Sequence, residues 1–325
     1  MVRHAVVAVL VVAAAISIAP ASAEESDATG GSTASTPTLV TGTVIGGYTP
    51  ASDVDEHKKI DQDMWMIQTN ATGSDCTAGA AMTKATNIYT NGLNSKKSSG
   101  NRKLKSFELK AKEPFGDLFL AYKTAGKHDP HAMFEAALAG ADVTTGPAKA
   151  KWGTTAADAN AGAVAGSCAA RGQIVKKVGK FQIMMQYAAH EFEAALAAYA
   201  NCQYEKAVHY WDEWWAFYAG SLSTDPDPNL RNKYAPYHVG PSIGAKFGTN
   251  TKTTAILGDE SEQNCMLLKA TKQGLELLKF PGNETKLDDI AKCMRAQLKV
   301  GLIQVLQATM HEKPHPNTTL TKSHK

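Results

Sequence analysis

An all-α fold, a multi-helix bundle, is what this chain predicts, and three observations carry the prediction. Apolar residues recur at intervals of three and four along most of the sequence, period-two alternation is sustained nowhere, and 43% hydrophobic content over 325 residues suffices for a sizeable core.

The elements follow in order. Residues 1–23 place Arg3 and His4 before the apolar run Ala5 to Ala19 and end on the Ala-x-Ala of Ala21 to Ala23, which is the pattern of a cleaved secretory signal peptide. That run is shorter than the roughly 20 apolar residues of a membrane span, so an exported chain without membrane insertion is expected. Residues 24–47 are rich in Ser, Thr and Gly, lack periodicity, and read as a linker. A helical domain over 48–311 and a polar tail over 312–325 complete the expected organisation.

Within the domain, "SDVDEHKKIDQDMWMIQ" predicts a first helix, capped by Asp53 with Glu56 three residues on, and with Ile60, Met64 and Ile67 on one face. Further helices are expected from "TAGAAMTKATNIYTNGL", "PFGDLFLAYKTA", "PHAMFEAALAG", a long segment from Gly172 to Tyr199, and Glu205 to Ser221. "ESEQNCMLLKATKQGLELLK" and Thr285 to Met310 are the last two, the final one aligning Leu287, Ile290, Met294, Leu298, Leu302, Val305 and Leu306. The Gly/Pro-rich "TDPDPNLRNKYAPYHVGPSIGAKFGTN" reads as a long irregular insertion between helices.

The net charge of +3 names no partner, and no basic cluster interleaved with aromatics marks a nucleic-acid surface. Export makes oxidation of the five cysteines expected; their spacing fits no zinc pattern, and a strap from Cys265 to Cys293 across a helical hairpin is the first choice, with one thiol left over. Asn70, Asn283 and Asn317 stand in glycosylation triplets.

Chemistry concentrates on two helices. In "QIMMQYAAHEFEAALAAYA", Tyr187, His190 and Glu193 fall three apart, with Glu191 at their edge, on a face without Lys or Arg; the competing reading is a solvated polar face. "HEFEA" begins like a zinc-peptidase helix, but position 194 is Ala, so the second histidine is missing. In "HYWDEWWAFYAGS", Trp211, Trp214, Trp215 and Tyr218 form a core stripe, with His209 and Glu213 opposite and Asp212 on the flank. The first helix adds His57 and Asp61, four apart. Carboxylate, phenolate and imidazole donors suit a hard or borderline ion such as iron, and equally zinc or manganese.

Five segments, "YTPASDVDEHKKIDQDM", "IYTNGLNSKKSSGNRKLKSF", "HEFEAALA", "WDEWWAFYAGS" and "VGLIQVLQAT", resemble in that order the algal low-iron-inducible periplasmic proteins, iron-assimilation proteins related to the phytotransferrins. The resemblance covers Tyr48 to Met310. It implies a secreted or periplasmic protein, not an enzyme, that binds ferric iron, Fe(III), and promotes its uptake, with carbonate as a synergistic anion and a cell-surface receptor or reductase as partner. Arg102 in "NSKKSSGNRKLK" is the candidate carbonate holder, because a guanidinium matches a planar oxyanion; the competing reading is a solvated basic loop. The His-x-x-Glu pair is similar, by analogy, to imelysin-like bundles. Two departures stand out: Trp214 occupies a position where glycine is usual, and many members continue as a helix beyond the position of His311. A metal-free structural or carbon-dioxide-responsive secreted protein and a metal-dependent hydrolase are the alternatives.

Overall fold

A computed structural model describes residues 43–72, 79–107, 129–140, 168–224, 234–251 and 260–311. The signal peptide, "PFGDLFLAYKTA", Cys76, Asn317 and the polar tail lie outside them. The described residues are predominantly helical, as the periodicity predicts.

The N-terminal group comprises α1 (Asp55–Lys58), α2 (Ile60–Thr72), α3 (Gly79–Asn91), α4 (Pro130–Ala139) and α5 (Cys168–Val178), with the hairpin β1 (Lys96–Lys97) and β2 (Gly100–Asn101) between α3 and α4. A π turn, Gly179–Met184, leads into α6 (Met185–Ala200), which packs on α7 (Tyr204–Ala219) as an antiparallel pair. The C-terminal group is α8 (Val239–Phe247), the two-residue ladder of β3 (Asn250–Thr251) and β4 (Glu260–Ser261), α9 (Glu262–Leu278) and α10 (Glu284–His311).

Local chemistry explains several boundaries. Asp129 caps α4 by accepting from the backbone of His131 and Ala132, Pro130 needs no partner for a first-turn amide, and left-handed Gly140 ends the helix. The first helix departs from expectation: it breaks at Lys59 and forms no capping box, because Glu56 instead binds the Lys59 ammonium and the Lys96 backbone amide. The Gly/Pro-rich insertion contains a helix, α8, contrary to the irregular reading. Pro241 lies in its first turn, where proline is tolerated, and left-handed Gly248 closes it. Ile45, assigned by sequence to the lead-in, is buried, and its carbonyl accepts from the Trp215 indole at 2.7 Å.

The aromatic stretch forms the centre of the molecule. Every residue from Trp211 to Gly220 is buried, so the C-terminal half of α7 is enclosed on all sides rather than on one stripe. Trp214 is absorbed into the core, stacking on Tyr218 with ring centroids 5.0 Å apart and donating to Thr271 Oγ1 at 3.2 Å. Trp211 donates to the Thr271 carbonyl, and its indole lies over Gly274 of α9 so closely that an added Cβ would collide with the ring. Gly274→Ala, which would stabilise an exposed helix by about 1 kcal/mol, is therefore expected to destabilise this one by about 1 to 3 kcal/mol. Urea unfolding checks the sign.

No disulfide joins Cys265 to Cys293, which corrects the expected strap. In a hairpin folded symmetrically about residues 279–283, Cys293 stands level with about residue 269, roughly one turn or 6 Å of helix rise from Cys265. The amides of Asn70 and Asn283 are engaged with carbonyls, of Met66 and of Leu277 and Phe280 respectively. No helix among the described residues is long and apolar enough to cross a membrane.

Candidate metal centre

Three side chains meet beside the core face of α7. His57 Nε2 lies 2.6 Å from Glu213 Oε1, His209 Nε2 lies 3.1 Å from the same oxygen, and all three candidate ligand atoms lie within 4.8 Å of one another. Donors bound at about 2.1 Å to one ion stand about 3 Å apart when they meet at right angles, so these separations fit a shared ion. His209 and Glu213 are neighbours on α7 because four residues return to the same helix face. His57 arrives from α1, which packs against α7. His57 and Glu213 are nearly enclosed, with side-chain exposures of 13% and 11%, whereas His209 is 41% exposed and forms the open side.

Electrostatics bind the trio in the absence of an ion. Burial alone would raise the Glu213 carboxyl, but hydrogen bonds and charge from His209 and His57 hold it well below the usual carboxylate range. The bond to Glu213 is also the main reason that the His209 pKa is raised.

Asp212 supports this arrangement from behind. It lies about 100° around α7 from Glu213, and is fully buried. Its carboxylate accepts from Tyr48 Oη, from the backbone amides of Ala51 and Ser52, and from Ser52 Oγ at 2.7 Å. Since Ser52 gives its proton to Asp212, its oxygen accepts from His209 Nδ1, 3.0 Å away. The relay fixes the imidazole proton on Nδ1 and turns Nε2 toward Glu213, the orientation that second-sphere partners give metal-binding histidines. Ser52→Ala is expected to weaken metal binding about 10- to 100-fold without loss of helix, as calorimetry and circular dichroism would show.

Of the remaining sequence candidates, Tyr187, Glu191 and Arg102 gather at this centre. The Tyr187 hydroxyl bonds Glu191, and burial followed by the charges of Glu191 and Glu213 holds the phenol protonated. Tyr187 also stacks on Phe107 at 3.9 Å and meets Phe217 edge-on at 5.1 Å, while Phe217 packs on His57 at 5.6 Å. His190 is buried with its ring 5.4 Å from that of Tyr187. The Arg102 guanidinium lies 5.7 Å over Phe217, donates to the Lys96 carbonyl and Ser95 Oγ, and interacts with the charges of Glu213 and Glu191.

Two candidates do not join. Glu193 stands roughly 120° around α6 from Tyr187 and forms a two-pronged ion pair with Arg295 of α10, at 2.6 and 2.7 Å. Asp61 is parted from His57 by the break at Lys59. It is buried, accepts from Ser221 Oγ and the Leu222 amide, and is pushed up to about 7 by desolvation against those bonds. Asp61 and Glu193 thus brace the fold. Ser52, which joins Asp212 to His209, is the member of this arrangement that sequence reasoning missed, and a serine in a turn carries no signal that would have found it.

Neither a curated protein nor a solved structure matches the chain. Residues 26–313 match the family described as low iron-inducible periplasmic protein. The match extends from before the first described residue to beyond α10 and includes all three residues of the His57, His209 and Glu213 cluster, and the chain belongs to that family.

Proposed function

We propose that the protein captures ferric iron in the periplasm or at the cell surface and passes it to an uptake receptor or reductase, with His57, His209 and Glu213 as the primary ligands. The observation that carries this reading is the convergence of two imidazoles on one buried carboxylate oxygen at separations an ion can bridge. Tyr187 and Glu191 would supply further oxygen donors, and Arg102 a contact for carbonate bound beside the ion. A trivalent ion, being the stronger Lewis acid, displaces the Tyr187 proton more readily than a divalent ion does.

Titration of purified protein with ferric iron, with and without bicarbonate, tests the reading. Stoichiometric binding supports it, and no uptake under either condition refutes it. One observation favours a second reading: two imidazoles with one carboxylate, beside a phenol held protonated, also suit ferrous iron. A parallel anaerobic titration with ferrous iron decides between them.

Proton competition sets the pH dependence. The metal needs the Nε2 lone pairs that protons occupy in acid, and the raised His209 pKa starts that competition above the ordinary imidazole value of about 6.5. Affinity is therefore expected to fall steadily from neutral pH toward pH 5, as competition against a chromogenic chelator would measure. The metal-free fold responds in the opposite sense. Depressed Glu213 contributes stability above about pH 4.3, its unfolded value, and raised His209 contributes below about 6.5, so their joint contribution is greatest between the two.

A further inference from the structure

The lip beside the metal centre has the wrong sign for a free cation. The β1–β2 hairpin and its exit carry Lys96, Lys97, Arg102 and Lys103, and none of the four forms an ion pair with a carboxylate among the described residues. Lys96 Nζ is held by neutral groups, the Leu93 carbonyl and Asn101 Oδ1. Lys97 and Lys103 are exposed. Nearby carboxylates offset part of this charge: Glu56 and Asp63 act on Lys96, and Glu213, Glu191 and Glu56 act on Arg102, although Asp55 and Glu56 are themselves paired with Lys58 and Lys59. The exposed Lys97 and Lys103 form no ion pair among the described residues and carry the uncompensated part of the rim. The hairpin packs on α1, the carrier of His57. Arg102, which follows β2, and the His57 ring both pack against Phe217, at 5.7 and 5.6 Å.

A positive rim repels approaching cations and concentrates anions. Ferric iron near neutral pH stays in solution as complexes rather than as the bare ion, and its polycarboxylate complexes are anionic. We propose that the lip formed by Lys96, Lys97, Arg102 and Lys103 docks an anionic ferric polycarboxylate, whose iron then exchanges onto His57, His209 and Glu213. This rests on the reading of that cluster as an iron site. Iron stays trivalent throughout: the chelate's carboxylates leave as the protein's donors replace them, and the protons displaced from the protein go to solvent or to the departing chelate. Rigid placement of the lip follows from the Arg102 bonds to Ser95 and Lys96, which tie the exit of the hairpin back to its entry.

The test is a stopped-flow measurement of iron transfer from ferric citrate at about 10 mM and about 150 mM salt, between which the screening length falls from about 30 Å to about 8 Å. A cobalt(II) salt serves as the cationic probe. The parent is expected to slow with citrate and to speed up with cobalt as salt rises. Lys97→Glu combined with Lys103→Glu, both away from the ligands, is expected to cut the citrate rate at low salt at least tenfold and to reverse both salt trends, with helical content unchanged and cobalt affinity no weaker than the parent's. Lys97→Gln with Lys103→Gln should fall between. Charge-reversed protein that binds cobalt like the parent and takes iron from citrate at the parent's rate overturns the inference alone. A parent that binds neither metal at equilibrium overturns the iron-site reading and this inference with it. Salt-independent transfer together with salt-sensitive retention of the parent on an acidic polysaccharide also overturns it, assigning the lip to surface attachment.

Discussion

Glu213→Ala is expected to reduce metal affinity by more than about a hundredfold, beyond the range that loss of an outer supporting group produces. Its Oε1 is the atom both imidazoles approach, so its removal leaves His57 and His209 without the anion that draws them together. Glu213→Gln keeps the shape and one oxygen but loses the charge, and should fall between parent and alanine variant. Competition titration at neutral pH gives the ordering, and melting the metal-free proteins separates affinity from folding. In the alanine variant the stability that His209 gains on protonation disappears, so the unfolding free energy should vary less between pH 5 and pH 7 than in the parent.

Trp211→Ala is expected to act on the fold instead, at a cost of about 3 to 5 kcal/mol. The indole is fully buried, donates to the Thr271 carbonyl, contacts Phe192 of α6 and fills the space left by Gly274. Few neighbours can collapse into that volume, because α7 is enclosed all round from Trp211 onward. A melting temperature lowered by about 10 °C or more is the expected reading, while molecules that remain folded should bind metal as the parent does. Loss of binding in proportion to loss of folded protein supports this separation of roles.

The helices were legible because burying one face imposes a period of three to four, and the absence of sustained period-two alternation argued against extended sheets. α8 was not, since its Gly and Pro residues suppress the pattern while its capping glycine and first-turn proline still permit the geometry. The site was legible in part. His209 and Glu213 could be paired from their spacing, which is a property of one helix. The addition of His57 required a contact between residues 156 positions apart, and the four-residue spacing of His57 and Asp61 did not put them in one site, because the break at Lys59 separates them. Glu193 shows the limit of a helical wheel most plainly. The wheel gives its angle, but the arrival of Arg295 from 102 residues away decided its role. Asp212 and Glu213, adjacent in sequence, are divided by their partners: Tyr48, Ala51 and Ser52 hold Asp212, and His57 and His209 approach Glu213.

The clasp of residues 45–57 on α7 bears on how the molecule matures. Tyr48, Ser52 and Ile45 reach Asp212 and Trp215 across sequence separations of 160 to 170 residues. Closing a loop of that length carries a large entropy cost before any contact offsets it. A chain emerging N-terminus first from the export machinery therefore presents His57 long before its partners exist, and the three ligands come together only once α7 has been delivered and packed. On the proposed reading of this cluster, iron capture is a late event in biogenesis, and an incompletely folded chain would not sequester the metal.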